Sequence, residues 1–461
     1  MTGRVTALAA GLLLSAALVS PALATPDPVH GRAQVVAPCA TPSPPTPPPR
    51  PGPRPAALAR LAPLRLPAPP LRTRGPDLVD RRGAVVRLAS VNWYGAEEQD
   101  SVVGGLDRQP LDTIAAEIRA LGFNSVRLPW SNALLHDDPT VCDASVAANP
   151  SLRGKRALAV LDAVITALGR QGLMVILDNH MTTADWCCLP TDEDSLWYNA
   201  GHNAADPAWV QSFHTGQWLA DWQTMARRYR GPSYHNVIGA DLRNEPRGGA
   251  TWGSPAGPAP GCRPPAQDTK DWRDAAERGA ACVLAASPDL LIMVEGVGYS
   301  LDFTGIPAGP VVLPRGHEHQ LVYSPHDYQE DHAPDANADA GRLAAVLDQR
   351  WGSLATGPGA TPVWVGEFGT CHTPAVQCDD NRTHSREWFA NLAAYVTAHR
   401  FGWSYWPLNG TQSRGSTRQL GAEETFGVLD PTWACSAQPG LTAILQRMVG
   451  AAPAVSLRCR S

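Results

Sequence analysis

Two glutamates stand in settings suited to acid–base work. Glu245 lies in Leu242-Arg243-Asn244-Glu245-Pro246, and Glu367 lies in Val365-Gly366-Glu367-Phe368-Gly369. Each follows an apolar run, which puts it at the rim of a core. A single rim carboxylate reads equally well as the salt-bridge partner of a loop arginine. Two of them across a cleft can cleave an acetal. One protonates the leaving oxygen while the other attacks the anomeric carbon or activates water. Further polar or aromatic residues end the other apolar runs: Asn92-Trp93-Tyr94, Arg127, Asp178-Asn179-His180, Asn244, Glu295, His326, Tyr328 and Trp406. Taken alone, His180 and His326 would each be an ordinary core histidine. The repetition of such residues at nearly every run end favours a site.

Other chemistries fit less well. A serine hydrolase of the elbow type needs Gly-x-Ser-x-Gly, which the chain lacks. His317-Glu318-His319 has ligand types, but it sits in a polar loop ahead of an apolar run, where a solvated turn is the simpler reading. No CxxC pair is present to hold zinc. No metal and no cofactor is expected.

The elements that must position these residues alternate along the chain. Apolar runs at 86–93, 125–129, 173–179, 237–243, 290–295, 321–324, 362–367 and 402–406 read as strands. Amphipathic segments at 111–121, 156–171, 208–228, 271–286, 341–351 and 386–397 read as helices between them. Near-continuous apolar strands suit a parallel sheet covered on both faces. Eight of them predict an α/β fold, a (β/α)8 TIM barrel over residues 77–461, with long βα loops stapled by disulfides. The unit between 295 and 321 is the least regular. In such a barrel the strand ends meet at one face, so Glu245 and Glu367 close strands four and seven.

Composition narrows the rest. The chain has 461 residues, 18% charged, with net charge −5, which excludes a basic nucleic-acid binder. Residues 1–24 read as a secretory signal: Arg4, an apolar stretch to Val19, then Ala22-Leu23-Ala24 before the cut. Residues 25–76 read as an extended, disordered tail, with 14 prolines between Pro38 and Pro70. No later segment is apolar for long enough to span a bilayer. A secreted, extracellular monomer is expected. All ten cysteines lie beyond the cut and are expected to pair in an oxidising compartment. Cys371 with Cys378, and Cys435 with Cys459, are the candidate pairs. Adjacent Cys187 and Cys188 rarely bond each other, so at least one is expected to reach a distant partner.

The chain resembles glycoside hydrolase family 5. The resemblance runs from about Val86 to Asn409 and rests on seven ordered motifs. They are Asn92-Trp93-Tyr94-Gly95, Ser125-Val126-Arg127-Leu128-Pro129, Ile176-Leu177-Asp178-Asn179-His180, Leu242-Arg243-Asn244-Glu245-Pro246, Val322-Tyr323-Ser324-Pro325-His326-Asp327-Tyr328, Gly366-Glu367-Phe368-Gly369 and Trp403-Ser404-Tyr405-Trp406. It implies Glu245 as acid/base and Glu367 as nucleophile of a retaining double displacement. It further implies that Arg127 and Tyr328 hold Glu367, that Asn244 meets the sugar 2-hydroxyl, and that His180 and His326 bond sugar hydroxyls and keep Glu245 protonated. Trp406 would be the platform of the central sugar. The expected substrate is a β-linked polysaccharide, first an endo-β-1,4-glucanase substrate. A mannan, a β-1,3-glucan or a glycolipid would use the same pair. A catalytically idle binding barrel is disfavoured by retention of both glutamates and Arg127. The sequence departs from the family at Asn179, at Pro407-Leu408 and in the insertion around Trp186-Cys187-Cys188.

Tryptophan is unusually frequent, at 15 residues. Trp93, Trp130, Trp186, Trp197, Trp252 and Trp406 fall at or after strand ends and are candidate sugar platforms. Trp209, Trp218, Trp222, Trp272 and Trp388 fall in helical patterns, where packing explains them.

Overall fold

The computed structural model describes residue 58 and residues 62–188, 193–201, 207–253, 259–371 and 384–450. The signal segment, most of the tail, and Cys378 and Cys459 lie outside the described residues.

Eight parallel strands form the centre: Ala89–Asn92 (β1), Ser125–Ser131 (β2), Met174–Met181 (β3), Val237–Asp241 (β4), Leu291–Val294 (β5), Leu321–Tyr323 (β6), Trp364–Phe368 (β7) and Gly402–Tyr405 (β8). Neighbours pair in chain order, and β8 pairs with β1. The ring closes between β6 and β7 through parallel bridges at Tyr323–Val363 and His326–Glu367. This is the predicted (β/α)8 barrel. All eight strands coincide with the apolar runs, because a strand covered on both faces has no room for a polar register.

Helices pack around the ring by their apolar stripes. In Ala157–Arg170, Leu161, Val164, Ile165 and Leu168 are buried at helical spacing. In Trp272–Ala286, Asp271 caps the N-terminus by accepting from Asp274 N at 3.1 Å. The single helix expected over 208–228 is two, Ala208–Gln211 and Thr215–Arg228. His214 caps the second through a reciprocal pair with Gln217, which stops the first. After β5 a short turn at Val297–Ser300 stands where the pattern was least regular.

The floor of the barrel has its own core of Leu71, Leu78, Leu88, Met174, Ile176, Ile238, Leu291, Met293, Val322 and Trp364. Gly239 makes this possible, since a Cβ there would sit 2.9 Å from Met293 Sδ and Cε. Strands Arg72–Arg74, Asp77–Val79 and Val85–Val86 form a small antiparallel sheet. The ordered domain therefore begins before residue 77. Leu64 N donates to the Gln171 carbonyl at 2.9 Å, and Thr73 N donates to the His319 carbonyl at 2.7 Å. Gly172, at φ +74°, leaves space for the Leu64 carbonyl, which a Cβ would meet at 1.9 Å. Composition marked this stretch as tail because prolines outnumber its few anchoring leucines.

Cys262 and Cys282 are bonded, tying the loop after β4 to Trp272–Ala286. Cys142, Cys371 and Cys435 are each disulfide-bonded as well. One expectation fails: Cys187 and Cys188 bond each other across a cis peptide. Both sulfurs face the Asn244 amide, so neither is directed toward a distant partner. No helix among the described residues is long and apolar enough to cross a membrane.

Candidate active site

The C-terminal mouth of the barrel collects the residues singled out from sequence. Arg127 projects from β2, His180 from β3 and Glu367 from β7. Asn244 and Glu245 follow β4, His326 and Tyr328 follow β6, and Trp406 follows β8. They meet in a cleft of about 470 Å³ lined by His180, Trp186, Asn244, Glu245, Tyr328, Glu367 and Trp406. Carboxylate oxygens of Glu245 and Glu367 lie within 4.8 Å of each other, with His326 between them.

Arg127 is the hub. Its side chain is fully buried, and Nη1 bonds Glu367 Oε1 at 2.5 Å. Nε bonds Asp241 Oδ2 at 2.9 Å, and Nη2 reaches Glu295 Oε1 at 3.0 Å and Asp178 Oδ1 at 3.1 Å. The same guanidinium donates to Asn244 Oδ1 at 3.0 Å and Asn92 Oδ1 at 3.1 Å. One buried cation thus faces four carboxylates, and full ionisation of all four would leave uncompensated buried charge. Burial, working against the pull of Arg127, pushes Asp178 and Asp241 up to about 6. It pushes Glu295 up to about 7.

Glu367 also accepts from the Tyr328 hydroxyl at 3.0 Å. Burial raises its carboxyl above the ordinary glutamate value, against the opposing charges of His326 and Arg127. Glu245 differs. Burial raises it too, but the hydrogen bond and charge of His326 outweigh burial, and its carboxyl lies below the ordinary value. His326 Nδ1 sits 2.9 Å from Glu245 Oε1, and Nε2 sits 3.3 Å from Glu295 Oε1. Burial disfavours the imidazolium, yet the charges of Glu295 and Glu367 and the bond to Glu245 hold its pKa well above the ordinary value. His326 therefore stands one hydrogen bond from Glu245, placed to tune that carboxyl. His180 is driven by burial down to about 3, so it is neutral, with Nδ1 2.6 Å from Asp178 Oδ2.

Glu245 has φ 47°, a left-handed conformation that costs a non-glycine residue of order 1–3 kcal/mol. Its N–H donates to Glu295 Oε2 at 2.7 Å, which fixes the turn. Glu295 therefore orients Glu245 through the backbone and His326 through the ring. The sequence marked Glu295 only as a strand end, and Asp241 escaped notice because an aspartate inside an apolar run reads as an interruption.

Trp406 is 8% exposed and stacks on Tyr94 at 5.3 Å and on His180 at 5.5 Å between centroids. Trp186 also lines the cleft, with the Arg418 guanidinium 3.7 Å over its ring. Trp93 and Trp197 are corrections: they are 0% and 1% exposed and present no face to a ligand. Their indole N–H groups bond the Gly104 carbonyl at 3.0 Å and Thr215 Oγ1 at 3.1 Å. Trp130 is buried likewise, and Trp252 gives its N–H to the Gly309 carbonyl at 2.8 Å. A tryptophan after a strand end can turn under the loop as readily as over the cleft. The turn at His317-Glu318-His319 is knit locally, with His317 Nδ1 2.7 Å from Gln320 Oε1.

A parallel barrel with two carboxylates this close at its C-terminal mouth has the layout of a glycoside hydrolase. The chain belongs to the cellulase family, glycosyl hydrolase family 5, whose family model matches residues 80–412. It is 30% identical over 352 residues to an endoglucanase of Paenibacillus polymyxa, covering 73% of this chain and 79% of that one. It is 30% identical to the major extracellular endoglucanase of Xanthomonas campestris pv. campestris, covering 82% and 70%. The catalytic domain of the Xanthomonas major endoglucanase superposes with a TM-score of 0.66 at 27% identity, over 82% of this chain and all of that one. A complex of the Pyrococcus horikoshii endocellulase with cellotetraose superposes at 0.65 with 25% identity, over 84% of this chain and all of that one.

Proposed function

We propose that this protein hydrolyses internal β-1,4 bonds of a glucan outside the cell, as a monomer, with retention at the anomeric carbon. The observation that carries the reading is the approach of Glu245 and Glu367 to within 4.8 Å. Retaining pairs stand about 5–5.5 Å apart, whereas inverting pairs leave about 6.5–9.5 Å for a water. Support for a glucan comes from the endoglucanases and the cellotetraose complex among the similar proteins.

In the proposed reaction Glu367 attacks the anomeric carbon as the bond to the leaving oxygen breaks. Glu245 gives that oxygen a proton, received from His326 Nδ1 over the 2.9 Å hydrogen bond. Arg127 and Tyr328 each hold one oxygen of the Glu367 carboxylate before attack and release it as its charge is consumed. Asn244 is set for the sugar 2-hydroxyl, whose bond tightens in the transition state. Trp406 carries the apolar face of the same sugar. Water then enters, Glu245 removes its proton, and the bond to Glu367 breaks with a second inversion.

The test is product analysis on carboxymethyl cellulose, mannan, xylan and mixed-linkage glucan, with NMR of the first-formed anomer. Internal cleavage of cellulose with β-anomer released first is expected. Dominant mannan cleavage would refute the substrate, and α-anomer would refute retention. Glu245→Gln and Glu367→Gln are each expected to lose at least about 10²–10⁴-fold in kcat while still binding glucan.

A further inference from the structure

The loop after β3 carries Trp186-Cys187-Cys188, and the two cysteines have no part in the proposed proton transfers or attack. They form a disulfide with each other, and both line the cleft. Asn244 Nδ2 lies 3.3 Å from Cys187 Sγ and 3.4 Å from Cys188 Sγ. Both sulfurs and a Glu245 carboxylate oxygen lie within 4.8 Å of one another. The pair therefore stands directly against two of the residues that must meet the bond to be cleaved.

A disulfide is an unusual neighbour for such groups. It has no proton to donate, it is apolar and polarisable, and its sulfurs are weak acceptors. Asn244 is held from its other end by Arg127, which donates to its Oδ1 at 3.0 Å. Its N–H is thereby aimed at acceptors that compete poorly. A sugar hydroxyl, the stronger acceptor, can take that N–H at little cost. On the Glu245 side the same sulfurs occupy a position where water would otherwise solvate the carboxyl.

We propose that the Cys187–Cys188 disulfide is a positioning element of the reaction: an apolar wall beside the scissile bond that presets Asn244 for the sugar 2-hydroxyl and keeps water off Glu245. The proposal rests on Glu245 and Glu367 as the reacting pair. The loop has other fastenings, which separates positioning from mere support. Ser416 Oγ donates to Asp185 Oδ2 at 2.6 Å, Arg418 lies over Trp186, and Asp194 Oδ1 accepts from Thr182 N at 3.1 Å.

The experiment compares the full chain with Cys187→Ala/Cys188→Ala and, as control, Cys262→Ala/Cys282→Ala, on cellotetraose across pH, with thermal melts alongside. The first variant should keep a near-normal melting temperature yet lose at least about tenfold in kcat, as small misplacements near reacting atoms do. Its pH profile should shift, because Glu245 is newly solvated. The control should keep its kcat. Dithiothreitol, supplying two electrons and two protons to the S–S bond, should reproduce the loss in the wild type and add nothing in the first variant. A folded Cys187→Ala/Cys188→Ala with normal kcat and pH profile would overturn the proposal. If that variant does not fold, undiminished activity of reduced, folded wild type overturns it instead. Glu245→Gln keeps the two readings apart. If it retains hydrolysis, the acid assignment and this proposal both fall; if it is inactive and the cysteine variant is normal, only this proposal falls.

Discussion

Arg127 Nη1 lies 2.5 Å from Glu367 Oε1, and the guanidinium that makes this bond also holds three carboxylates that never face the cleft. The charge state of the candidate nucleophile is therefore set partly from beneath. Every proton shared among Asp178, Asp241 and Glu295 frees more of the Arg127 charge for Glu367.

Arg127→Lys tests this. A lysine keeps the charge but cannot reach several acceptors at once. Arg127 lowers the Glu367 carboxyl against burial, so its loss should move the acid limb of the pH–rate profile to higher pH. The variant should also be destabilised by about 3–5 kcal/mol, since buried carboxylates lose their partner. Urea unfolding and a kcat/KM profile measure the two effects.

His326→Asn tests where the proton resides. With a pKa held well above the ordinary value, the His326 imidazolium should carry activity to pH values where an ordinary histidine is neutral. Activity is lost as pH rises through that raised pKa. Without the ring, the alkaline limb reports Glu245 alone and should move to lower pH, with kcat down about 10²-fold. An unmoved alkaline limb would return the resting proton to Glu245.

Glu295→Gln should act without touching substrate. It replaces an acceptor of the Glu245 N–H and weakens the hold on the His326 proton. Because Glu295 raises the His326 pKa, the alkaline limb should again fall to lower pH. NMR titration of the His326 ring checks this directly.

The tryptophans should divide cleanly. Trp406→Ala removes the platform lining the cleft and should cost at least about tenfold in kcat/KM, equivalent to about 1.4 kcal/mol of transition-state binding. Trp197→Ala empties a core site and should cost about 3–5 kcal/mol of stability, with KM little changed in the folded fraction. Denaturant melts and kinetics on both variants separate the roles.

The barrel was legible because strands buried on both faces must be written as apolar runs, and the residues that end those runs stand at one mouth. Arg127, Glu245 and Glu367 could be picked out for that reason. The tryptophan platforms were only half legible. Trp93 and Trp406 both follow a strand, but only the loop path decides that Trp93 turns inward to the Gly104 carbonyl. Cys187 and Cys188 misled because chain proximity says nothing of which way a turn points two side chains. The setting of His326 was hidden for a similar reason: it lies between three carboxylates that are far apart in sequence.

The closure of the ring between β6 and β7 has a further consequence. It is made by few backbone bonds, Tyr323 N to Pro362, Gly366 N to Pro325 and Asp327 N to Glu367, and the last two flank His326 and Glu367. The seam of the barrel and the reacting pair are thus one place. A local opening there would part His326 from Glu367 while the other strands stay paired, so heat should silence the enzyme before the barrel melts. Amide exchange at Gly366 and Asp327 would then track the surviving activity more closely than any spectroscopic signal from the whole fold.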